Sequence, residues 1–597
     1  MFSLPAYGIL AVAALLTVFR PTRRLSGPDF SCLVVSAVFF LYVLVRAALS
    51  PVPYLWWTDF LMVLACLVVY LLTSFHITAA RDRTVVLIVL LVIALAELLV
   101  GLRQFSQGDN WMPFGFLRAD SGKRASGMFI SSIHLAGYLE AVGVIALSCA
   151  CWSAWKTWAR ALAGYLALLC YMGVAITGSR GGYLSSVFSL LAFAALSLWM
   201  QRKANPGRFT GFAILSAIVF GTVAAIAIML MNQSDLIRYR LELIGPQFSG
   251  TQLDIRIYNW QAALDQFRVS PVIGTGAGTH LYFGRLFRRP QIQADPEHAH
   301  SDYLELLAEY GLIGAIGMAA FLFVHLRSSL RGASALALRE FADPFTPRKS
   351  NVLALQLGAL SAIAAYLAHS VVDFNLHIPG NALVFAFIFG IAANPDENAS
   401  GEPQPGLARM QRWALPSLGI AICAWGLPKL QGEYWCEQAR VALRDGRYDD
   451  AIELGKKALS HERRNPFIYL HIGEAHRASA VAMPIRSMAQ QHYEAAIGNY
   501  RKGLELFPQD ETFWVRLGQA LDGLRDFSGA EAAYQTAIEL DPNLGVLHAY
   551  YAAHLNSRGR EAEAEAELAK GQALTAENLS LIGNSTLPKP EPGPPNQ

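Results

Sequence analysis

Histidines, arginines and carboxylates gather in a few places of an otherwise apolar chain. EHAHSDYLELLAEYGLIG (297–314) sets His298, His300 and Asp302 directly before an apolar run. Imidazole titrates near neutral pH, so His300 is a candidate general base. The competing readings are a structural histidine and a metal set of His298, His300 and Asp302. Alternation by two brings both histidines to one side only in a strand. TGSRGGYL (177–184) holds Arg180 as its one charge, among Gly178, Gly181 and Gly182. Glycines permit close backbone approach, and guanidinium grips phosphate through paired N–H donors. Snorkelling at a membrane boundary is the plainer alternative. RASGMFISSIHLAGYLE (124–140) adds Arg124 and His134, and AHSVVDFNLHIPGNAL (368–383) adds His369, Asp373, Asn375, His377 and Asn381.

The segment 232–305 carries Arg238, Arg240, Arg256, Arg268, Arg285, Arg288 and Arg289. It is too long for a simple connector. This enrichment suggests an anionic ligand; the alternative is salt bridging with Asp235, Glu242, Asp254 and Asp265. PVIGTGAGTH within it is a weak glycine motif, because a dinucleotide fold needs a strand–turn–helix context. Its glycines read as a tight turn, which either offers backbone N–H groups to an anion or is only a turn.

The elements that must position these residues are helices in a bilayer. The 597 residues are 54% hydrophobic and 16% charged, against about 25% charged in soluble proteins. Mean hydropathy is +0.33. Apolar runs of about 20 residues, the length that crosses a bilayer, continue to about Leu427. Twelve candidate spans follow: 4–19, 31–49, 56–75, 84–102, 129–150, 160–177, 183–200, 210–231, 306–326, 352–371, 380–394 and 413–427. The first is followed by Arg20, Arg23 and Arg24 and reads as a span, not a cleaved signal. Lys and Arg concentrate in alternate loops, which are therefore cytoplasmic. That places 103–128, 178–182, 232–305, 372–379 and everything after 427 outside, with all four polar clusters on that side. The net charge of +3 gives no reason to invoke nucleic acid. Six of the seven cysteines fall in or at the ends of apolar runs and show no zinc spacing.

From about Tyr434 the text becomes charged and alanine-rich and repeats with a period near 34, as in QQHYEAAIGNYRKGLELFPQD (490–510) and LRDFSGAEAAYQTAIELDPNL (524–544). This resembles the tetratricopeptide repeat, with an insertion near 478–489. Such arrays bind a peptide or protein partner, or serve as a scaffold. The expected fold is all-α: a polytopic helical membrane domain with a C-terminal solenoid. Its divisions are N-terminal spans (1–123), a membrane core (124–394), a cytoplasmic linker with the last span (395–432), repeats (433–580) and a disordered Pro-rich tail (581–597).

Taken together, SRGG, DIRIYNWQAALDQFRVSPVIGTGAG with Arg256 and Trp260, HAHSDYLELLAEYGLIG and HSVVDFNLHIPGNAL resemble the O-antigen ligase and polymerase superfamily over 124–394. The resemblance implies a glycosyltransferase of the bacterial inner membrane that takes glycan from a polyprenyl diphosphate on the periplasmic face. The acceptor would be a lipid A core sugar, another glycan or a protein. Arg180 and Arg256 would hold the diphosphate and His300 would take the acceptor proton, with no cofactor or metal required. Arg124, His134, Ser179, Trp260, Gly276, His298, Asp302, His369, Asp373 and Asn375 would contact substrate. Ser301 stands where the family often has Asn, and the even number of spans before the large loop departs from many relatives. Two other classes compete. A transporter of lipid-linked glycan would use Glu97 and Glu140 along a path across the bilayer. A non-enzymatic assembly factor would act through the repeats.

Overall fold

The computed structural model describes residues 4–19, 29–113, 118, 122–204, 255–340, 350–394 and 405–584, with scattered positions between 207 and 221. The described residues are almost entirely helical. In the apolar part the helices are α1 (Leu4–Leu16), α2 (Phe30–Ala48), α3 (Pro53–Phe75), α4 (Ala80–Gln107), α5 (Ser132–Trp152), α6 (Thr157–Thr177) and α7 (Arg180–Ala204). From residue 255 onward come α8 (Ile255–Val269), α9 (His280–Leu286), α10 (Asp302–Glu340), α11 (Asn351–His369) and α12 (Pro379–Ala393). Among the described residues nine helices are long and apolar enough to cross a membrane. Two shorter apolar helices, Leu4–Phe19 and Pro379–Ala393, coincide with the first and eleventh expected spans. The expected span 210–231 lies largely outside the described residues, as do the linker 395–404 and the tail from 585.

Burial sorts the helices. In α5 and α11, 83% and 78% of the apolar window is buried, against 28% in α4 and α6. The first two pack on each other and form the centre. Small residues allow this: Gly358 of α11 rests on Ile145 of α5, where a Cβ would come within 2.9 Å of its backbone. The outer helices turn Ile88, Val92, Leu99, Leu168 and Leu191 outward. Hydrocarbon solvates such a surface, while the helix satisfies its own backbone. Polar caps mark the ends: Ser131 accepts the Ile133 N–H at the start of α5, and Gly178, at φ 63°, closes α6 in the left-handed region.

The C-terminal part begins inside a membrane-type helix. α13 (Pro405–Arg444) runs 40 residues without a break, through Pro416 and Pro428, into the repeats. The boundary expected at 433 therefore falls within one helix. The remaining helices are α14 (Tyr448–His461), α15 (Pro466–Ala482), α16 (Arg486–Leu506), α17 (Glu511–Leu524), α18 (Phe527–Leu540), α19 (Gly545–Ser557) and α20 (Glu561–Asn584). Each packs on the next in the chain. The insertion near 478–489 lengthens the helices on either side of a non-helical 483–485: α15 and α16 have 17 and 21 residues, where α17 and α18 have 14 each. Small-for-large exchange joins the units, with Gly503 against the Phe513 ring and Gly518 against Tyr534.

Candidate active site

Helix ends build the site. α5, α7, α10 and α12 begin there and α11 ends there, so polar residues at their termini meet while the apolar runs lie in the bundle. Asp373, just beyond α11, is the hub. Its carboxylate lies 3.6 Å from His300 Nδ1, 3.9 Å from His134 Nε2 and 4.0 Å from His369 Nε2. Arg256, on the first turn of α8, acts electrostatically on both Asp373 and His369. Burial alone would raise the Asp373 carboxyl; His300, His134, His369 and Arg256 outweigh it and hold the group at about 2. Asp373 is thus an anion facing three imidazoles and a guanidinium.

His300 is presented in an uncommon backbone state. Its φ is 52°, in the left-handed region that few non-glycine residues adopt. Three contacts hold it there. Trp260 Nε1 donates to the His300 carbonyl at 3.2 Å, and the Asp302 N–H donates to the carbonyls of Ser370 (3.0 Å) and Asp373 (3.1 Å). The Phe374 ring meets His300 edge-on at 4.9 Å. The His300 side chain is 32% exposed, the Asp373 side chain 1%. A buried carboxylate at Nδ1 and an accessible ring are what a base needs to work through Nε2.

The α7 start brings Arg180 alongside. Gly181 packs on His369 and Val372, where a Cβ would lie 3.4 Å from His369 Nε2. Arg124 Nε donates to the Thr177 carbonyl at 2.9 Å, and its stem covers Gly178. His134, His300 and His369 thus meet at Asp373 within the field of Arg256, and the α7 start that carries Arg180 adjoins His369 through Gly181.

Other expected site residues serve the fold. Gly276 donates its N–H to the Glu309 carbonyl at 2.9 Å, so its amide is already used. Gly274 and Gly311 approach so closely that a Cβ on Gly311 would be 2.5 Å from the Gly274 nitrogen. The glycine motif is a turn clamped on α10, and the anion-cradle alternative is corrected. Ser179 uses its hydroxyl oxygen to accept the Gly182 N–H at 3.0 Å. Asn375 is fully buried and accepts from Asn381 at 2.8 Å. His298 shares the Phe374 ring with His300, stacking on it at 4.2 Å, but its Nδ1 meets Glu305 at 2.7 Å. Glu305, which lies 3.5 Å from His377, is a site residue the sequence reading does not name. Helical spacing was the available signal, since Asp302, Glu305 and Glu309 fall at i, i+3 and i+7 on one face.

The broad arginine patch is also corrected. Arg268 and Arg289 both take Asp265, at 2.5 and 2.6 Å. Arg285 and Arg288 reach the repeats: Arg285 pairs with Glu511 (2.6 Å) and Asp510 (3.2 Å), and Arg288 with Asp541 (2.6 Å). Arg238 and Arg240 lie outside the described residues. Among the described residues of that patch, Arg256 is the one whose charge acts on Asp373 and His369. The two carboxylates of the transport reading are both engaged: Glu97 accepts the Met128 N–H at 2.6 Å, and Glu140 meets His369 Nδ1 at 2.9 Å.

Beside the site, a cavity of about 180 Å³ opens between α2, α3, α10 and α12. Its lining is mostly apolar, with Phe39, Phe321, Phe385 and Phe389, and includes Asp302, Glu305 and His377.

Known proteins place this architecture. The O-antigen ligase family matches residues 164–319, and a tetratricopeptide-repeat family matches 487–544. The chain carries an O-antigen ligase/polymerase-like membrane domain followed by a tetratricopeptide-repeat region. It is 29% identical over 159 residues to the exopolysaccharide production protein ExoQ of Rhizobium meliloti (strain 1021). That match spans 26% of this chain and 33% of the relative, about a third of its length. Among solved structures, a thermophilic TPR protein of Thermus thermophilus is 22% identical with a TM-score of 0.24, covering 30% of this chain and 91% of that one. A crystal structure of MamA is 17% identical with a TM-score of 0.22, covering 30% and 99%.

Proposed function

We propose that this chain is a glycosyltransferase of the bacterial inner membrane, acting in cell-surface polysaccharide biosynthesis with a polyprenyl-diphosphate-linked glycan as donor. The observation that carries this reading is the His300–Asp373 pair at 3.6 Å within the field of Arg256. In the proposed step the acceptor hydroxyl attacks the anomeric carbon of the donor sugar. Its proton passes to His300 Nε2, the bond from carbon to phosphate oxygen breaks, and polyprenyl diphosphate leaves as the anion. Arg180 and Arg256 stabilise the charge gathering on that diphosphate, a task fixed guanidinium groups perform without a metal. Asp373 orients the imidazole and stabilises its protonated form. The apolar cavity has the character to receive the first isoprenoid units of the donor.

The expected arrangement of about twelve spans, with the site and a repeat solenoid both on the periplasmic face, is part of this proposal. Its support is the ion pairing of Arg285 and Arg288 with the repeats, which requires the repeats and the large loop to share one side.

Full-length protein in liposomes, given lipid-linked glycan and a glycan acceptor, tests the reading. We expect His300→Ala and Asp373→Asn to lower kcat by about 10²–10⁴ with little change in donor KM. Arg256→Ala and Arg180→Ala should lower kcat/KM for donor. Normal transfer by all four variants overturns the assignment. The glycan profile of a deletion strain then identifies the acceptor. Unligated polymer on its carrier means ligase, single repeat units mean polymerase, and bare proteins with normal lipopolysaccharide mean protein glycosylation.

A further inference from the structure

We propose that His298, Glu305 and His377 form a binding site for one zinc-class divalent cation, whose role is to fix the segment that presents His300. This goes beyond the transfer reaction, whose steps use no metal. The three residues come from different places: the extended approach to α10, its first turn, and the short 3-10 turn Asn375–His377. Their nearest ligand atoms all lie within 4.8 Å of one another. His298 Nδ1 is 2.7 Å and His377 Nε2 is 3.5 Å from Glu305 Oε1. Ligand atoms around a tetrahedral zinc stand about 3.3 Å apart, given metal–ligand bonds of about 2.0–2.1 Å. The two distances bracket that value, so small side-chain rotations suffice to admit the ion.

The donor chemistry is selective. Two imidazoles and one carboxylate suit a borderline cation such as Zn²⁺, where Mg²⁺ and Ca²⁺ favour oxygen alone. A fourth donor is at hand. Asp302 Oδ1 lies 4.0 Å from His377 Nε2, and it is buried without a hydrogen-bond partner. Asp302 itself is 7% exposed, and its other oxygen accepts from Ser370 at 2.7 Å. Supporting contacts orient the set. Glu305 Oε2 accepts the Ala299 N–H at 2.9 Å, and Phe374 stacks on His298. His300 lies between His298 and Asp302 in sequence, at φ 52°. An ion tying His298 to Glu305 and His377 would join both flanks of that strained residue to the turn that carries Asp373.

Metal binding by the purified full chain decides the matter. The protein is isolated in detergent with a tag free of histidine, stripped with chelator, and titrated with Zn²⁺ and then Co²⁺. We expect one cation per chain, with the visible ligand-field bands of a four-coordinate Co²⁺ site. His377→Ala and Glu305→Gln should each weaken binding tenfold or more, while His300→Ala should leave it unchanged. His377→Ala removes a partly exposed ring, and its thermal melt against wild type checks the fold. A wild-type chain that binds no cation at micromolar concentrations overturns the proposal, a proton then serving as the bridge between His298 and Glu305. Binding that survives both ligand variants overturns it equally. Failure here leaves the transferase reading standing, and normal transfer by all four site variants with cation binding intact sinks that reading alone.

Discussion

At the scale of residues, the site rests on a second carboxylate–imidazole pair beneath the first. Glu140 and His369 are both fully buried and 2.9 Å apart, and Ser185 donates to the same carboxylate. Removing one partner strands the other in a low-dielectric interior, which costs more than removing both. Glu140→Leu should therefore lower stability by about 3–5 kcal/mol. Glu140→Leu with His369→Phe should recover much of that loss. Thermal unfolding in detergent, compared across the cycle, checks this; a double variant no more stable than the single one contradicts it. Much at this scale was legible in sequence. Arg180 stood out as the one charge among glycines at a membrane boundary and His300 as a titratable group beside an apolar run, whereas the choice of Arg256 from the loop's arginines came from the family resemblance. Asp373 as the hub was not legible, because nothing in local spacing sets it between His134, His300 and His369.

At the scale of elements, the glycine turn and α9 form a wedge against α10. The Thr275 and Gly276 N–H groups bond to α10 carbonyls, and the His280 N–H donates to Glu309 Oε1 at 2.9 Å. His280 Nδ1 meets Gln266 Oε1 at 2.8 Å, and burial holds this imidazole down at about 4. The sign follows from proton uptake. An opened segment takes a proton near pH 6.5, whereas the packed one resists until about pH 4. The wedge should keep its full stability above about pH 6.5 and lose it as pH falls toward 4, by about 3 kcal/mol in all. Hydrogen exchange across 270–286, corrected for intrinsic rates, should show protection falling over that window in wild type and far less in His280→Gln. Equal pH dependence in the two chains contradicts the assignment. Sequence placed glycines here but left their purpose open. The close approach of Gly274 to Gly311 decides for packing, since both have positive φ and little room for a Cβ.

At the scale of the whole molecule, the repeats are docked on the loop that carries the site. The Arg288 and Asp541 side chains are fully buried and make a two-point contact, at 2.8 and 2.6 Å. Gln293 adds a reciprocal pair, donating to the Asn543 carbonyl and accepting the Gly545 N–H. Tyr54 of α3 joins Glu433 and the Phe467 ring. Breaking one side of a buried pair is costly, whereas an apolar replacement of both is tolerated. Arg288→Ala should therefore undock the repeats, seen as faster chymotryptic cleavage at Phe283 and Phe287 and in the repeats. Arg288→Met with Asp541→Leu should restore protection. Unchanged cleavage in Arg288→Ala would show that the other contacts suffice.

The sequence by itself determined the membrane part, the repeat region and the four polar clusters. Apolar length, the 34-residue period and the rarity of charge among apolar spans are local properties that need no partner to be read. Tertiary structure decided where the loop's charges are spent. Arg268, Arg285, Arg288 and Arg289 are matched by Asp265, Asp295, Asp510, Glu511 and Asp541, some more than 200 residues away. His298 pairs with Glu305, which also meets His377, and not with Asp373. Charge pairing depends on distance in space, which chain spacing does not carry across a turn or between domains, so the partners that hold Arg268, Arg285, Arg288 and Arg289 became visible only in the folded protein.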